Sequence, residues 1–351
     1  MPTASWRRST RWSTITRGDR AEAAARDKAR ALRVLVVGLG SIGRRHAANL
    51  RALGVTALAG YDPGASVPEV DGLRRVGSLE DGLAWGPDVV FVATPTHLHM
   101  QAATAAANLG CHLFIEKPLA HTAEGTESLR AAVERGGLIT LVGCNMRFHP
   151  GPAEIKRLID DGAVGTVIAA RIQTGSYLPG WRPWMDYRSS YSAHAEQGGG
   201  AILDCIHELD LARWYFGPGR VLGAAVVPAR TLGLEIEGVA EILIRHDSGV
   251  LSSVHLNVVQ RDYRRGCQVI GERGTLYWDY EHPVVTVSRG DASVTTHALP
   301  AGWAPNQAYV DEVAGFLRCV RTLAPTVNPI EDALATLSLA LTAKAMAGSV
   351  A

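Results

Sequence analysis

The feature that most constrains the fold is an alternation of short apolar runs with helical stretches, which begins near Ala31 and continues to about Pro150. The apolar runs are nearly continuous, as the strands of a parallel sheet must be when helices cover both of its faces. The intervening stretches open with Ser or Thr, which are common helix N-caps. The alternation therefore predicts a doubly wound, parallel α/β domain, with strands at 32–37, 56–61, 88–93, 112–116 and 138–143.

The first predicted strand runs directly into Gly38-x-Gly40-x-x-Gly43, and a helical stretch follows. In this context the first glycine allows a tight turn, the second lets the backbone approach a pyrophosphate, and the third lets the helix pack close to the strand. The free N–H groups at the start of a helix also favour phosphate. The motif predicts a dinucleotide-binding Rossmann domain, in which Gly38, Gly40, Ser41, Ile42 and Gly43 contact the cofactor.

Asp62 follows the second predicted strand, 24 residues beyond Gly38. An acidic residue near this spacing accepts hydrogen bonds from the ribose hydroxyls of the dinucleotide, and its charge would repel the 2′-phosphate of NADP. We therefore expect NAD rather than NADP. Asp62 also lies in a Tyr-Asp-Pro-Gly sequence that favours a turn, so a purely local turn role stays open.

Two further predicted strands end in polar residues, and the carboxyl edge of an open α/β sheet is where ligands bind. A His-x-His sequence there can also mark a metal site. Because the phosphate-binding loop lies upstream, we predict no metal. We predict instead that these residues line the nicotinamide end of a cofactor cleft: Thr94, Pro95, Thr96, His97, His99, Glu116, Lys117 and Pro118. For His97 and His99, capping of the following helix is an open alternative.

The alternation stops after about Pro150. A helix (152–162), a long strand (164–176), an aromatic loop and a second helix (about 199–216) are followed by several strand-like runs. An Asp-Ser-Gly sequence at 247–249 predicts a hairpin turn between two of these runs. This order predicts an α+β second domain with a mainly antiparallel sheet. We therefore divide the chain into domains at 31–150 and 151–351, with closing helices at about 306–323 and 331–347 that can pack back on the first domain.

Charge and cysteine usage narrow the class of partner and the compartment. The chain has 35 basic and 34 acidic side chains, so it has no global field to hold nucleic acid or an anionic membrane. The five cysteines lie far apart, which predicts reduced thiols rather than disulfides or a zinc site. There is no apolar run long enough for a membrane span and no signal-peptide pattern at residues 1–30, which we interpret as a disordered basic tail. We expect a cytoplasmic protein with a small-molecule partner.

Four segments together resemble the Gfo/Idh/MocA family of oxidoreductases. They are Glu116-Lys117-Pro118 after the glycine motif, V-G-C-N-M-R-F-H-P at 142–150, G-G-G-A-I-L-D-C-I-H-E-L-D at 198–210, and G-E-R-G at 271–274. The resemblance runs from about Leu32 to the C-terminus. It implies that a second domain with a large open sheet forms a subunit interface, so we expect a homodimer or homotetramer. It also leads us to expect Asn145 at the cofactor and Arg147 at the substrate.

The resemblance implies the roles of the catalytic residues. Lys117 corresponds to the lysine that contacts the reacting hydroxyl and the cofactor, and its bond to Pro118 is typically cis in the family. His207 corresponds to the general acid/base, and an imidazole suits that role because it exchanges protons near neutral pH. Asp204 precedes His207 by three residues, whereas many members have four. Both spacings place the two side chains on one helix face, but the shorter one leaves the exact role of Asp204 open.

The segment 175–193 is rich in aromatic residues and also carries two arginines. Aromatic faces stack on sugar rings, and arginine can bind an anion through two hydrogen bonds. We predict that the segment forms a wall of the substrate site, although a buried loop plug or a subunit contact explains the same composition. The predicted substrate contacts are Lys117, Arg147, Tyr177, Trp181, Arg182, Arg188, Tyr191, Asp204 and His207.

The sequence as a whole predicts an NAD(P)-dependent dehydrogenase or ketoreductase that acts on a sugar, a nucleotide-linked sugar or a cyclitol. Two alternatives remain, because some relatives with this fold cleave glycosidic bonds through transient oxidation and one senses dinucleotide without catalysis. The presence of both Lys117 and His207 argues against the sensing protein.

Overall fold

The computed structural model describes residues 31–64 and 68–348 of the chain. The basic tail predicted at 1–30 lies outside the described residues. Each half of the described chain contains one sheet, and helices pack against both sheets.

The first sheet has six parallel strands in the order β3-β2-β1-β4-β5-β6. Its central strands bury side chains on both faces, which explains their continuous apolar sequences. The order reverses between β1 and β4, so a cleft opens at their carboxyl ends. The predicted doubly wound sheet is confirmed. Its strands are β1 (Arg33–Val37), β2 (Ala57–Tyr61), β3 (Arg74–Arg75), β4 (Val89–Val92), β5 (His112–Glu116) and β6 (Thr140–Gly143).

Four helices connect these strands: α1 (Ser41–Ala52), α2 (Leu79–Ala84), α3 (His99–Asn108) and α4 (Thr126–Gly136). Only one of the predicted Ser/Thr caps is confirmed, since Ser78 Oγ accepts a hydrogen bond from Asp81 N at 3.0 Å. Gly40 and Gly125 occupy the other cap positions of α1 and α4. Ser41 is instead the first residue inside α1, Thr122 precedes the start of α4 by four residues, and α3 begins after a 3₁₀ turn at 96–98.

The second sheet has eight strands in the order β14-β13-β12-β11-β7-β10-β9-β8. All its pairs are antiparallel except the parallel pair of β7 and β10, and the predicted hairpin is the pair of β9 and β10. The strands are β7 (Val167–Tyr177), β8 (Gly219–Pro228), β9 (Glu237–His246), β10 (Leu251–Asn257), β11 (Val259–Gly271), β12 (Gly274–Asp279), β13 (Val284–Arg289) and β14 (Val294–Ala298).

Alternation along these strands gives the sheet one buried and one open face. Ile172, Ile242 and Val254 point inward, into a core that helices cover. On the same face α5 (Pro150–Asp160) packs against β12 and β13. Arg171, Leu243 and Tyr277 point to the opposite face, which is exposed in this chain. The mainly antiparallel open sheet that we predicted is therefore present.

The helix predicted at about 199–216 is in fact two helices. The first, α6 (Ala201–Asp204), ends where the backbone turns at Cys205 and Ile206, and the second, α7 (His207–Phe216), follows. Asp204 and His207 therefore lie on opposite sides of a break and not on the face of one continuous helix.

The closing helices, α8 (Pro305–Thr322) and α9 (Ile330–Gly348), return to the first half of the chain. Phe316 of α8 packs with Phe91 and Phe114 under the first sheet. The start of α9 packs on the other face of that sheet, and its later turns join the core of the second half. Among the described helices, none has the length and apolar character needed to cross a lipid bilayer.

Candidate active site

The glycine loop after β1 has the shape that a diphosphate requires. Gly38 has φ +91°, and a Cβ there would lie 2.5 Å from the Ala93 carbonyl oxygen. A Cβ on Gly43 would lie 1.8 Å from the Gly38 oxygen, whereas one on Gly40 would meet nothing within 4 Å. The two outer glycines thus permit close packing, and the middle one leaves an open approach to the backbone.

The start of α1 presents amide groups to this open side. The first helical hydrogen bond of α1 runs from Arg44 N to Gly40 O, so the amides of residues 41–43 precede it. Gly40 and Ser41 are exposed. This arrangement fits the pyrophosphate of a dinucleotide.

Asp62 lies at the end of β2, beside the glycine loop. Its Oδ2 accepts a hydrogen bond from Leu39 N at 2.7 Å, and its Oδ1 accepts one from Gly64 N at 2.7 Å. The carboxylate therefore holds the turn and places a negative charge next to the loop. Its contact with a ribose stays a prediction.

His99 links the ends of two strands. Its ring nitrogens lie 2.9 Å from Thr94 O and 3.0 Å from Pro118 O, and the side chain is buried. Because both nitrogens are used by backbone carbonyls, the predicted contact of His99 with the cofactor is wrong. It holds the loop after β4 against the loop after β5.

His97 faces away from this junction. Its ring lies 6.4 Å from that of His121, at a groove between α3 and α4 that Gln101 and Glu124 also line. The predicted place of His97 in the cofactor cleft is therefore not supported. Thr94 and Thr96 remain at the junction, where a Cβ on Gly198 would lie 2.9 Å from Thr96 Cβ.

Glu116 pairs with His46, a residue that no sequence pattern singled out. Its Oε1 lies 2.6 Å from Nε2 of His46, which is fully buried in α1 against Phe114. The pair ties the helix after the glycine loop to the loop that carries Lys117. One carboxylate oxygen of Glu116 is thus held by His46, and its contact with the cofactor stays a prediction. No local pattern singles out His46.

Lys117 reaches from the first domain to the second. Its bond to Pro118 is cis, as the resemblance implies, and its Nζ donates a hydrogen bond to the main-chain oxygen of Asp204 at 2.7 Å. Burial opposes the charged form of the amine, but interactions with the Tyr191, Asp204 and Glu116 side chains favour it and together raise the pKa of Lys117. The side chain is therefore an ammonium at neutral pH.

Asp204 and His207 are buried beside this ammonium. Burial lowers the pKa of His207 well below its usual value, and Lys117 and Arg265 lower it further, so the imidazole is neutral. Its Nδ1 has no hydrogen-bond partner within the described residues. Burial raises the pKa of Asp204, although Lys117 and the nearby hydroxyl of Ser192 favour its charged form.

Part of the aromatic segment joins the cluster. Tyr191 lies beside Lys117 and Asp204, and the Arg182 guanidinium is 5.1 Å from the centre of the Tyr191 ring. Trp181 donates its indole N–H to Ser176 Oγ at 2.9 Å. Arg182 and Tyr191 are thus brought to the predicted site.

Two other predicted substrate contacts lie elsewhere in the segment. The side chain of Arg188 is 60% exposed and stacks on Tyr187, so the structure does not bring it to the cluster. The ring of Tyr177 is covered by the Arg261 guanidinium at 4.0 Å.

Arg147 is a structural residue, which contradicts the substrate contact that we predicted. Its guanidinium binds both carboxylate oxygens of Asp210, at 2.7 and 2.8 Å, and also donates to the Val327 carbonyl. Its side chain is buried, and these partners use its donors. Asn145 lies half-buried at the end of β6, and its cofactor contact stays a prediction.

A second buried ion pair also escaped the sequence analysis. Arg265 of β11 donates to Glu208 Oε1 at 2.7 Å, and Glu208 directly follows His207. The H-E-L-D sequence shows the acidic partner, but nothing local marks Arg265, which is 57 residues away.

Together these residues form a site for moving a proton and stabilising negative charge. A neutral imidazole can accept a proton, and a neighbouring ammonium can stabilise an alkoxide in a place from which water is excluded. Contacts run without interruption from the glycine loop through Thr94, His99 and Pro118 to Lys117 and Asp204. The chain of contacts thus links Lys117 and Asp204 to the glycine loop.

Comparison with protein families gives two matches. Residues 32–144 match the oxidoreductase family with an NAD-binding Rossmann fold, and residues 153–277 match the GFO/IDH/MocA C-terminal domain.

Individual relatives agree with these matches. The chain is 29% identical to levoglucosan dehydrogenase of Pseudarthrobacter phenanthrenivorans over 55% of each chain, so it spans about half the length of that relative. It is 28% identical to scyllo-inositol 2-dehydrogenase (NAD(+)) of Bacillus subtilis, over 88% of this chain and 91% of that one. A solved structure of levoglucosan dehydrogenase with NADH and L-sorbose superposes with a TM-score of 0.80 at 22% identity, covering 91% of this chain and 97% of that one, which shows the fold.

Proposed function

Because this chain belongs to the Gfo/Idh/MocA family of NAD-binding oxidoreductases, we propose that it is a dehydrogenase or ketoreductase acting on a secondary alcohol or ketone. The proposed substrate is a sugar, a nucleotide-linked sugar or a cyclitol. The relatives named for levoglucosan and scyllo-inositol support this class, since both compounds are polyhydroxylated rings.

The observation that carries the proposal is that buried His207 lies within electrostatic range of the Lys117 ammonium, while the neighbouring Glu116 is tied to the helix after the glycine loop. When bound, the nicotinamide cofactor supplies the hydride chemistry. His207, neutral because it is buried and faces two cations, accepts the proton of the substrate hydroxyl. Lys117 stabilises the negative charge that develops on the same oxygen.

The proposal extends to NAD rather than NADP as the cofactor. The carboxylate of Asp62 stands at the end of β2 and is fixed there by the amides of Leu39 and Gly64. A 2′-phosphate at this position would meet a negative charge that cannot easily turn away. We assign the dinucleotide to residues 31–150 and the polyol to residues 151–351.

We also infer that the open face of the second sheet joins copies of the chain into a homodimer or homotetramer. A continuous row crosses that face from Tyr277 through Gln268 and Arg171 to Ser253 and Leu243. The mixture of apolar and polar groups suits an interface between subunits. A cytoplasmic location is supported by the five cysteines, all of them free thiols.

The proposal is tested by measuring NADH or NADPH formation with a panel of sugars, nucleotide-linked sugars and cyclitols. We expect net NADH formation with at least one polyol and a lower kcat/KM with NADP. A glycosidase acting through transient oxidation would release a sugar without net NADH.

Lys117→Ala and His207→Ala should each lower kcat by about 100-fold or more, the usual scale for a lost acid, base or charge-stabilising group, and leave NAD affinity unchanged. Lys156→Ala is the matched control, because Lys156 pairs with Asp160 on the surface of α5. Near-normal turnover in either of the first two variants would show that the roles are wrongly assigned.

A further inference from the structure

The break between α6 and α7 leaves carbonyls at the end of α6 without their helical partners, and that of Asp204 is one of them. Asp204 N and Cys205 N bond to Gly200 O and Ala201 O, as residues of a helix do. In a continuous helix Glu208 N would bond to Asp204 O, four residues earlier. It bonds instead to Cys205 O at 3.4 Å. The main-chain oxygen of Asp204 is therefore released.

The released oxygen is the one that Lys117 binds. The Nζ–O distance of 2.7 Å is that of a charge-assisted hydrogen bond, and Asp204 is 5% exposed. A buried carbonyl at the end of a helix needs such a partner. The ammonium thus takes the place of the amide that the break removes.

The two neighbouring carboxylates, of Glu116 and Asp204, form no hydrogen bond with the Lys117 ammonium. Glu116 is held by His46 at 2.6 Å. The Asp204 carboxylate makes no hydrogen bond of regular geometry with the described residues, although it is buried next to Lys117. Lys117 is therefore held by the main chain of Asp204 and not by its side chain. We call this hydrogen bond between the ammonium and the carbonyl the anchor.

We propose that the three-residue spacing between Asp204 and His207 is a positioning device for Lys117. It ends α6 at Asp204, so that the main-chain carbonyl, and not the carboxylate, holds the ammonium before substrate arrives. Asp204 positions Lys117 through its backbone, which makes the anchor independent of the side chain. The value of this arrangement for catalysis rests on the proposed dehydrogenase function, but the anchor itself does not.

The anchor is measured from the exchange of the lysine ammonium protons. The chain has four lysines, Lys28, Lys117, Lys156 and Lys344, so selective ¹⁵Nζ labelling gives few signals, and Lys117→Arg assigns the one of interest. We expect the Lys117 ammonium protons to exchange about tenfold or more slowly than those of Lys156 at neutral pH, because a buried hydrogen bond protects them.

Two variants separate the backbone from the side chain. Asp204→Asn removes the carboxylate charge and keeps the carbonyl, so slow exchange at Lys117 should persist while the substrate KM rises. Insertion of one glycine between Cys205 and Ile206 lengthens the spacing from Asp204 to His207 from three residues to four. We expect it to bring Lys117 exchange to the rate of Lys156 and to lower kcat.

The matched control is a glycine inserted after Gly217, in the turn at the other end of α7, where a Cβ would meet nothing within 4 Å. It should leave both exchange and kcat unchanged. Loss of protection in Asp204→Asn would overturn the proposal, as would equal exchange of Lys117 and Lys156 in the unaltered chain. If the inserted chain does not fold by circular dichroism, the Asp204→Asn result decides.

The measurements of lysine proton exchange do not require the protein to turn over a substrate. If the substrate panel shows no activity, the proposed function fails while the anchor is still measured. If exchange is fast and the panel shows activity, only the anchor fails.

Discussion

At the scale of single residues, the substrate segment contains two arginines that its sequence does not distinguish. Arg182 lies over Tyr191 and within electrostatic range of the buried carboxylate of Asp204. Arg188 lies over Tyr187 with its side chain largely in solvent. Their environments assign substrate recognition to the first only.

We expect Arg182→Ala to raise the substrate KM by about tenfold, the scale of one lost charged hydrogen bond, with NAD affinity unchanged. Arg188→Ala is the matched control and should change KM by less than about twofold, since exposed charges contribute little. Steady-state kinetics on the same substrate checks both. Equal effects of the two changes would contradict this assignment.

The residues that could be predicted are those whose role depends on local spacing. The glycine loop needs only the strand before it and the helix after it, and Gly38 and Gly43 pack as the motif predicts. Arg147 was misplaced because its partner, Asp210, lies 63 residues away. His99 was misplaced for the same reason, since Pro118 reaches it only through the fold.

At the scale of elements, α5 begins with an unusual cap. His149 Nδ1 accepts a hydrogen bond from Gly151 N at 3.0 Å, and its ring packs against Trp278 and lies 4.3 Å from the ring of Trp303. Burial, and then the charge of Arg265, lower the pKa of His149 to about 4. The cap therefore works only as a neutral imidazole.

This cap predicts how stability depends on pH. Between pH 6.5 and about 4 the unfolded chain binds a proton at His149 that the folded chain does not. Stability must therefore fall as pH falls through that window, by up to about 3 kcal/mol from this group. His149→Asn keeps a cap acceptor without a titrating ring, so its unfolding free energy should fall less steeply over the same range in urea titrations.

The control for this effect is His282→Asn, at an exposed histidine. Its stability curve should run parallel to that of the unaltered chain. Parallel curves for His149→Asn would show that the imidazole is not the titrating cap.

Most elements could be predicted because their periodicity is local. Five of the six strands of the first sheet lie within a residue or two of their predicted bounds, whereas the two-residue edge strand β3 was not predicted. The break at Cys205 could not be predicted, since residues 201–206 contain no glycine or proline and the contact between Lys117 and the Asp204 carbonyl joins residues 87 positions apart. The parallel pairing of β7 with β10 could not be predicted either, because it joins strands some 80 residues apart.

At the scale of the whole molecule, the row of side chains on the open sheet face predicts where copies of the chain meet. Leu243→Arg places a charge in that row and should shift the assembly towards monomer, because a desolvated charge opposes association. Size-exclusion chromatography with light scattering measures the change.

Leu109→Arg is the matched control, since Leu109 is an equally apolar and more exposed residue at the end of α3. It should leave the mass unchanged. An assembly that survives Leu243→Arg, or that Leu109→Arg disrupts instead, would place the interface elsewhere.

The return of α8 to the first sheet sets the order in which the protein can be completed on the ribosome. Val34, Phe91 and Phe114 lie in the same core as Phe316 and Val320, yet the ribosome delivers the helix only after both sheets. The nascent first half therefore emerges with part of one apolar face uncovered until residues 305–322 have been synthesised. Synthesis of the cofactor domain ends early, but its folding ends last.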